Sequence, residues 1–174
     1  EIIEILRQSP PQMLFFGPEF SEAIKEINAA LPDIQILAME EGDGPWETYE
    51  AWRDAQSSES VVDRASTHDP AMVLFTSGTT GFPKGAHLHH YGVTNNARLM
   101  TLRRGGANGT IDISAMPLFH TGGCVAGVLG TLQTRGTLVL LPEFDPNLYL
   151  DLIEQERVEC TLAVPTMLVA LLEA

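Results

Sequence analysis

The chain has 174 residues, 44% of them hydrophobic, which suits the core of one domain and excludes a disordered low-complexity segment. Its 23 acidic against 10 basic residues give a formal charge of -13, so a phosphate backbone is repelled unless the cations cluster, and they do not. Nucleic acid is excluded as a partner on that ground.

The paired basic residues Arg103 and Arg104, beside Gly105 and Gly106, read as a solvated helix end without function. Cys124 and Cys160 lie far apart in apolar surroundings and give neither a disulfide framework nor zinc spacing. A reduced, cytoplasmic setting is the expectation. No apolar run approaches the roughly 20 residues that span a bilayer, and the start lacks the basic and apolar regions of a secretion signal.

In chain order, Ile2, Ile3, Ile5 and Leu6 between charges predict an opening helix. Residues 12–16 are a short apolar run, 19–30 have helical periodicity and 33–39 are apolar again, a βαβ unit. Residues 42–45 break the pattern, 46–54 predict a short helix, and 56–66, rich in serine and charge, read as a surface linker. The expected division is a βαβ segment over 1–55, a linker over 56–68 and a block over 69–174, all within one domain. In that block 71–75 is a strand, followed by a glycine-rich loop, a strand ending near His89 and a helix over 92–102. Strands over 111–115, 137–141 and 160–164 then alternate with a small-residue helix over 123–133 and a helix over 147–156. Pro165 stands where a further helix starts. The pattern runs on to Ala174 without a C-terminal cap, so both ends read as cut. Such alternation with apolar strands predicts an α/β fold, a mostly parallel sheet covered by helices.

The segment that carries chemistry is Leu74-Phe75-Thr76-Ser77-Gly78-Thr79-Thr80-Gly81-Phe82-Pro83-Lys84-Gly85, directly after an apolar strand. Gly78 and Gly81 let successive amides turn toward one anion with no side chain in its way. The hydroxyls of Thr76, Ser77, Thr79 and Thr80 donate hydrogen bonds, and Lys84 adds a mobile positive charge. The same residue types also fill ordinary turns, so composition alone does not decide. A Walker loop needs glycine before its lysine and a hydroxyl residue after it. Here Pro83 lacks the N–H and Gly85 lacks the hydroxyl, which removes P-loop nucleotide hydrolysis.

Thr-Ser-Gly-Thr-Thr-Gly-x-Pro-Lys-Gly resembles the signature loop of the adenylate-forming superfamily of acyl-CoA synthetases, luciferases and peptide-synthetase adenylation domains. His90 resembles the histidine after that loop, although the common Thr before it is His89 here and the Asn two after it is Gly92. Met116-Pro117-Leu118-Phe119-His120 and Val164-Pro165-Thr166 resemble two later motifs. The resemblance spans the chain, which is similar to part of the large N-terminal domain of an AMP-forming acyl-CoA synthetase.

The resemblance implies ATP and CoA as substrates, together with a small carboxylic acid that is fatty or aromatic. Thr76, Ser77, Gly78, Thr79, Thr80, Gly81, Pro83 and Lys84 would hold the β and γ phosphates, and Lys84 and His120 would be catalytic. His120 and Thr121 would lie at the acid, with Gly122 and Gly123 leaving room for an acyl chain or pantetheine. By itself a histidine beside an apolar run reads as structural, and the resemblance reverses that reading. Magnesium is expected in the whole enzyme, with ligands outside this sequence. His87 and His89 share a strand face with no carboxylate or cysteine nearby, so no metal site is assigned. Alternatives are an amino-acid adenylation domain and a non-catalytic nucleotide- or acyl-binding module. Alone, the chain is expected to be inactive, and to self-associate as a homo-oligomer wherever apolar surface is uncovered.

Overall fold

The computed structural model describes residues 2–42, 44–62, 64–76 and 83–174. They form two compact units, one holding residues up to Arg64 and the other residues 65–76 and 84–174.

The first unit begins with α1 (Ile2–Gln8) and β1 (Met13–Phe16), then a 3-10 turn over Pro18–Phe20. It continues through α2 (Ser21–Ala30), β2 (Gln35–Ala38), β3 (Glu47–Thr48) and α3 (Tyr49–Asp54). Its strands are parallel in the order β1-β2-β3, and α2 supplies the crossover that parallel neighbours require. Ile24 and Ile27, one helical turn apart on α2, are buried against Phe16, Ile34, Ile36 and Ala38. Each such side chain contributes about 1.5–3 kcal/mol by leaving water. Leu37 alternates to the opposite face and is fully buried. Its register partner Phe15 meets the rings of Tyr49 and Trp52 edge-on at 5.8 and 6.5 Å. The helix predicted over 46–54 starts only at Tyr49, because Thr48 is extended and its hydroxyl accepts the Ala51 N–H at 3.2 Å.

The second unit begins with β4 (Pro70–Thr76), β5 (Lys84–His89), α4 (His90–Arg103) and β6 (Ile111–Ser114). A π-helix over Gly122–Leu129 continues as α5 (Gly130–Gln133), followed by β7 (Thr137–Leu140), α6 (Pro146–Gln155), β8 (Cys160–Thr161) and α7 (Pro165–Glu173). The three-stranded sheet is parallel, with β6 between β7 and β8. Ile113, Leu141, Tyr149 and Met167 form its core. Asp145 caps α6 by accepting the Leu148 N–H at 2.8 Å, and Pro146 and Pro165 occupy first helical turns, where a missing N–H costs nothing.

The α/β class with mostly parallel sheets holds, and the described residues form three small sheets rather than one. The exception is β4–β5, an antiparallel pair, because strands joined by so short a loop can pair only by reversing direction. The last strand is shorter than its apolar run: β8 pairs only with Asp112 and Ile113. Arg104 corrects the sequence reading. Its side chain is 20% exposed and pairs with the buried carboxylate of Asp112 at 3.3 Å, so it is an interior cation rather than a solvated helix end. Among the described residues no helix is long and apolar enough to cross a membrane.

Candidate functional site

The glycine-rich segment is held at both ends by a hairpin. Thr76 closes β4, Lys84 opens β5, and the two are register partners. The Thr76 hydroxyl donates to the Lys84 carbonyl at 3.5 Å, and both residues are exposed. Ser77, Gly78, Thr79, Thr80 and Gly81 lie outside the described residues, and Pro83 is half-buried. Strand alternation puts Thr76 and Lys84 on the same face as the cross-strand pair Met72 and Leu88. Met72 and Leu88 pack against the cluster of Val93 and Ala97 on α4 and Val125 on the π-helix. The loop's flanks are therefore anchored to the rest of the second unit. On the other face, a Cβ at Gly85 would lie 2.9 Å from Val73 Cγ1 and 3.2 Å from Phe75, so the glycine after Lys84 is required by packing.

The second constellation follows β6. Ser114 Oγ accepts the Met116 N–H at 3.1 Å, and the Pro117 carbonyl accepts the His120 N–H at 3.1 Å, turning the chain into the π-helix. His120 and Thr121 are exposed. His120 Nδ1 accepts the Gly122 N–H at 3.0 Å, so the neutral ring carries its proton on Nε2, which remains available as a donor. The imidazole thus caps a helix and offers a second nitrogen outward, and the structural and chemical readings of His120 do not compete.

Gly123 is buried, and a Cβ there would sit 2.2 Å from the Pro117 carbonyl oxygen. That approach alone requires glycine, whatever room it leaves for substrate. At Gly122 the nearest obstacles are milder, Met116 Cε at 3.0 Å and His120 Nδ1 at 3.4 Å. The sequence predicts an ordinary helix here. The wider π turn runs instead through Gly122, Gly123 and Gly127, and insertions of this kind occur frequently at functional sites.

Two hollows flank this segment. A recess of about 530 Å³ is lined by residues 115–119 and 140–142, just beyond the carboxyl ends of β6 and β7. Ligands of parallel α/β sheets bind at that end of the strands. A cleft of about 370 Å³ is lined by His87, Leu88 and His89 of β5, Gly92, Val93 and Asn96 of α4, and Thr121 and Val125. His87 and His89, weighed from the sequence only as metal ligands, thus share a cleft with the predicted acid-binding Thr121.

A model of the family described as AMP-binding enzyme matches residues 1–174. The chain belongs to the AMP-binding enzyme family. An indoleacetate–CoA ligase of Aromatoleum aromaticum is 34% identical over 167 residues, covering 95% of this chain and 32% of that protein. The mitochondrial medium-chain acyl-CoA ligase ACSF2 of Homo sapiens is 40% identical over 112 residues, 62% of this chain and 18% of that protein. The crystal structure of ATP-bound MatB from Rhodopseudomonas palustris superposes with a TM-score of 0.82 at 30% identity, covering 100% of this chain and 34% of that one. The chain therefore spans about a third or less of these three proteins.

Proposed function

We propose that this chain is the phosphate-holding and acid-facing part of an AMP-forming acid–CoA ligase acting on an aromatic or fatty acid. The observation that carries the reading is the β4–β5 hairpin, which sets Thr76 opposite Lys84 at the two ends of a Ser/Thr/Gly loop in a member of the AMP-binding family. The ligase names of the relatives support it, as does the recess at the carboxyl ends of β6 and β7, whose lining includes Leu118, Phe119 and Leu141.

In the first step a carboxylate oxygen of the acid attacks the α-phosphorus of ATP. The bond to the bridging oxygen breaks, and pyrophosphate leaves with the electron pair. Negative charge grows on phosphoryl oxygens, which residues 76–81 and the Lys84 ammonium would hold in this reading. Such prearranged donors stabilise a transition state without reorganising, and positioning itself is worth about 7–11 kcal/mol. In the second step the CoA thiol loses its proton to solvent and its sulfur attacks the acyl carbon, and the bond from that carbon to the phosphate oxygen breaks, so that AMP leaves with the electron pair. His120 Nε2–H is placed by this proposal at the acid, as a donor to the carbonyl oxygen that becomes negative. Among the described residues no three His, Cys, Asp or Glu side chains come together to hold a metal ion.

The test is acid-dependent formation of AMP and pyrophosphate from ATP by the polypeptide that carries this chain, with indole-3-acetate, ferulate and medium-chain fatty acids, each with and without CoA. AMP and a thioester formed with at least one acid support the reading. ADP as product, or no acid dependence, overturns it.

A further inference from the structure

His89 and Gly92 meet where β5 passes into α4. His89 ends β5 and caps α4 with an extended backbone (φ -89°, ψ 158°), its Nδ1 accepting the Gly92 N–H at 2.8 Å. A threonine hydroxyl makes the same bond to the third helical residue with a much smaller group. The imidazole lies over the first turn instead, and a Cβ on residue 92 would stand 3.0 Å from His89 Cε1 and 3.1 Å from Nδ1. These distances are tighter than ordinary van der Waals contact, so the ring would have to move. Its freedom to move is limited by His68 and Tyr91, whose ring centroids lie 5.6 and 6.3 Å away.

We propose that His89 and Gly92 are a coupled capping pair, and that His89 is a positioning residue for acid activation. The cap fixes the first turn of α4, where Val93 is buried against the cluster that includes Val125 of the π-helix. It thereby ties β5, which begins at Lys84, to the helix that begins beside His120. The capping half of the proposal stands on geometry alone, and the positioning half rests on the CoA-ligase reading above.

Four variants test it: His89→Ala, His89→Thr, Gly92→Asn and the double His89→Thr/Gly92→Asn. In this chain the readouts are thermal melting and hydrogen-exchange protection of the Gly92 amide or its replacement. In the polypeptide that carries it the readout is acid-dependent ATP–pyrophosphate exchange. His89→Ala is expected to lose the protection and lower Tm by about 2–4 °C, as for one lost cap, and His89→Thr to restore both. Gly92→Asn is expected to be damaging beside His89 and tolerated beside threonine, with the exchange rate following the same pattern. An equal cost of Gly92→Asn in both backgrounds overturns the coupling. A melting cycle as described with an exchange rate indifferent to His89→Ala overturns the positioning role and leaves the ligase reading intact. No exchange with any acid in the unaltered protein overturns the ligase reading and the positioning role together, while the melting cycle still decides the capping pair.

Discussion

Arg104 at the end of α4 and Asp112 on β6 form an ion pair, 3.3 Å between Nη1 and Oδ1, with the carboxylate side chain only 4% exposed. The Thr131 hydroxyl of α5 lies 3.3 Å from the other carboxylate oxygen and 2.9 Å from the Gly127 carbonyl, its one proton shared between them, so three elements meet at one buried charge. The contact is ionic rather than a well-aligned hydrogen bond, since Asp112 Oδ1 and Arg104 Nε have no hydrogen-bond partner among the described residues. Breaking a buried pair from one side leaves the other charge uncompensated, at about 3–5 kcal/mol. Arg104→Met strands the more deeply buried partner and should cost more than Asp112→Asn. The double variant should cost less than the sum of the two. Urea denaturation of the three variants checks the order, and equal single losses that add would remove the pair from the core's energetics.

Tyr149 gives a pH dependence. Its ring is fully buried and its hydroxyl bonds to Thr161 Oγ1 and to the Ile113 carbonyl at 3.3 Å. Burial raises its pKa above the ordinary value of a tyrosine phenol, only partly offset by the Thr161 bond. As pH rises past 10 the unfolded phenol loses its proton first while the folded one keeps it. The contribution is therefore constant below that pH and declines as pH climbs toward the folded pKa. Tyr149→Phe should cost about 0.5–1.5 kcal/mol at neutral pH and flatten the alkaline loss. Denaturation midpoints at neutral pH and across the alkaline range measure both effects, and parallel curves for the two proteins would contradict this assignment.

At Gly123 the prediction is steric. With its Cβ 2.2 Å from the Pro117 oxygen, Gly123→Ala must push the 116–117 backbone away, at a cost of about 1–3 kcal/mol or more. Gly122→Ala, facing a movable methionine methyl, should be milder. Melting curves test the ranking, and a wild-type Tm for Gly123→Ala would show that the turn yields freely.

His120 makes one exposed hydrogen bond through Nδ1, so His120→Ala should change Tm little, within about 1 kcal/mol of stability. Its proposed loss lies in acid or thiol use, seen as reduced adenylate or thioester formation. A large fall in Tm with normal kinetics per folded molecule would make the histidine structural only.

Much of this was legible in the sequence because it lies in local pattern. The apolar runs that become β1, β2, β6 and β7 and the prolines that open α6 and α7 act over a few residues. The AMP-binding family was legible from the residue types and order of the 74–85 segment. What escaped depends on partners distant in sequence. An apolar run does not say which direction its neighbour takes, so the antiparallel β4–β5 pair did not show. Arg104 looked solvated because its partner Asp112 sits inside an otherwise apolar strand. The π-helix looked like a small-residue α-helix, because its glycines answer to the backbone at 116 and 117. His89 was weighed from the sequence only as a metal ligand and set aside, whereas its place at a strand end makes it a helix cap.

The most direct measurement is ATP–pyrophosphate exchange, dependent on acid, by the polypeptide that carries this chain, compared with its Lys84→Ala variant. A charge-assisted hydrogen bond to the phosphates is worth about 1.5–3 kcal/mol, so the exchange rate should fall roughly tenfold to a hundredfold while the melting curve stays unchanged. An exchange rate equal to that of the unaltered protein would contradict the assignment of residues 76–84 to the phosphates of ATP.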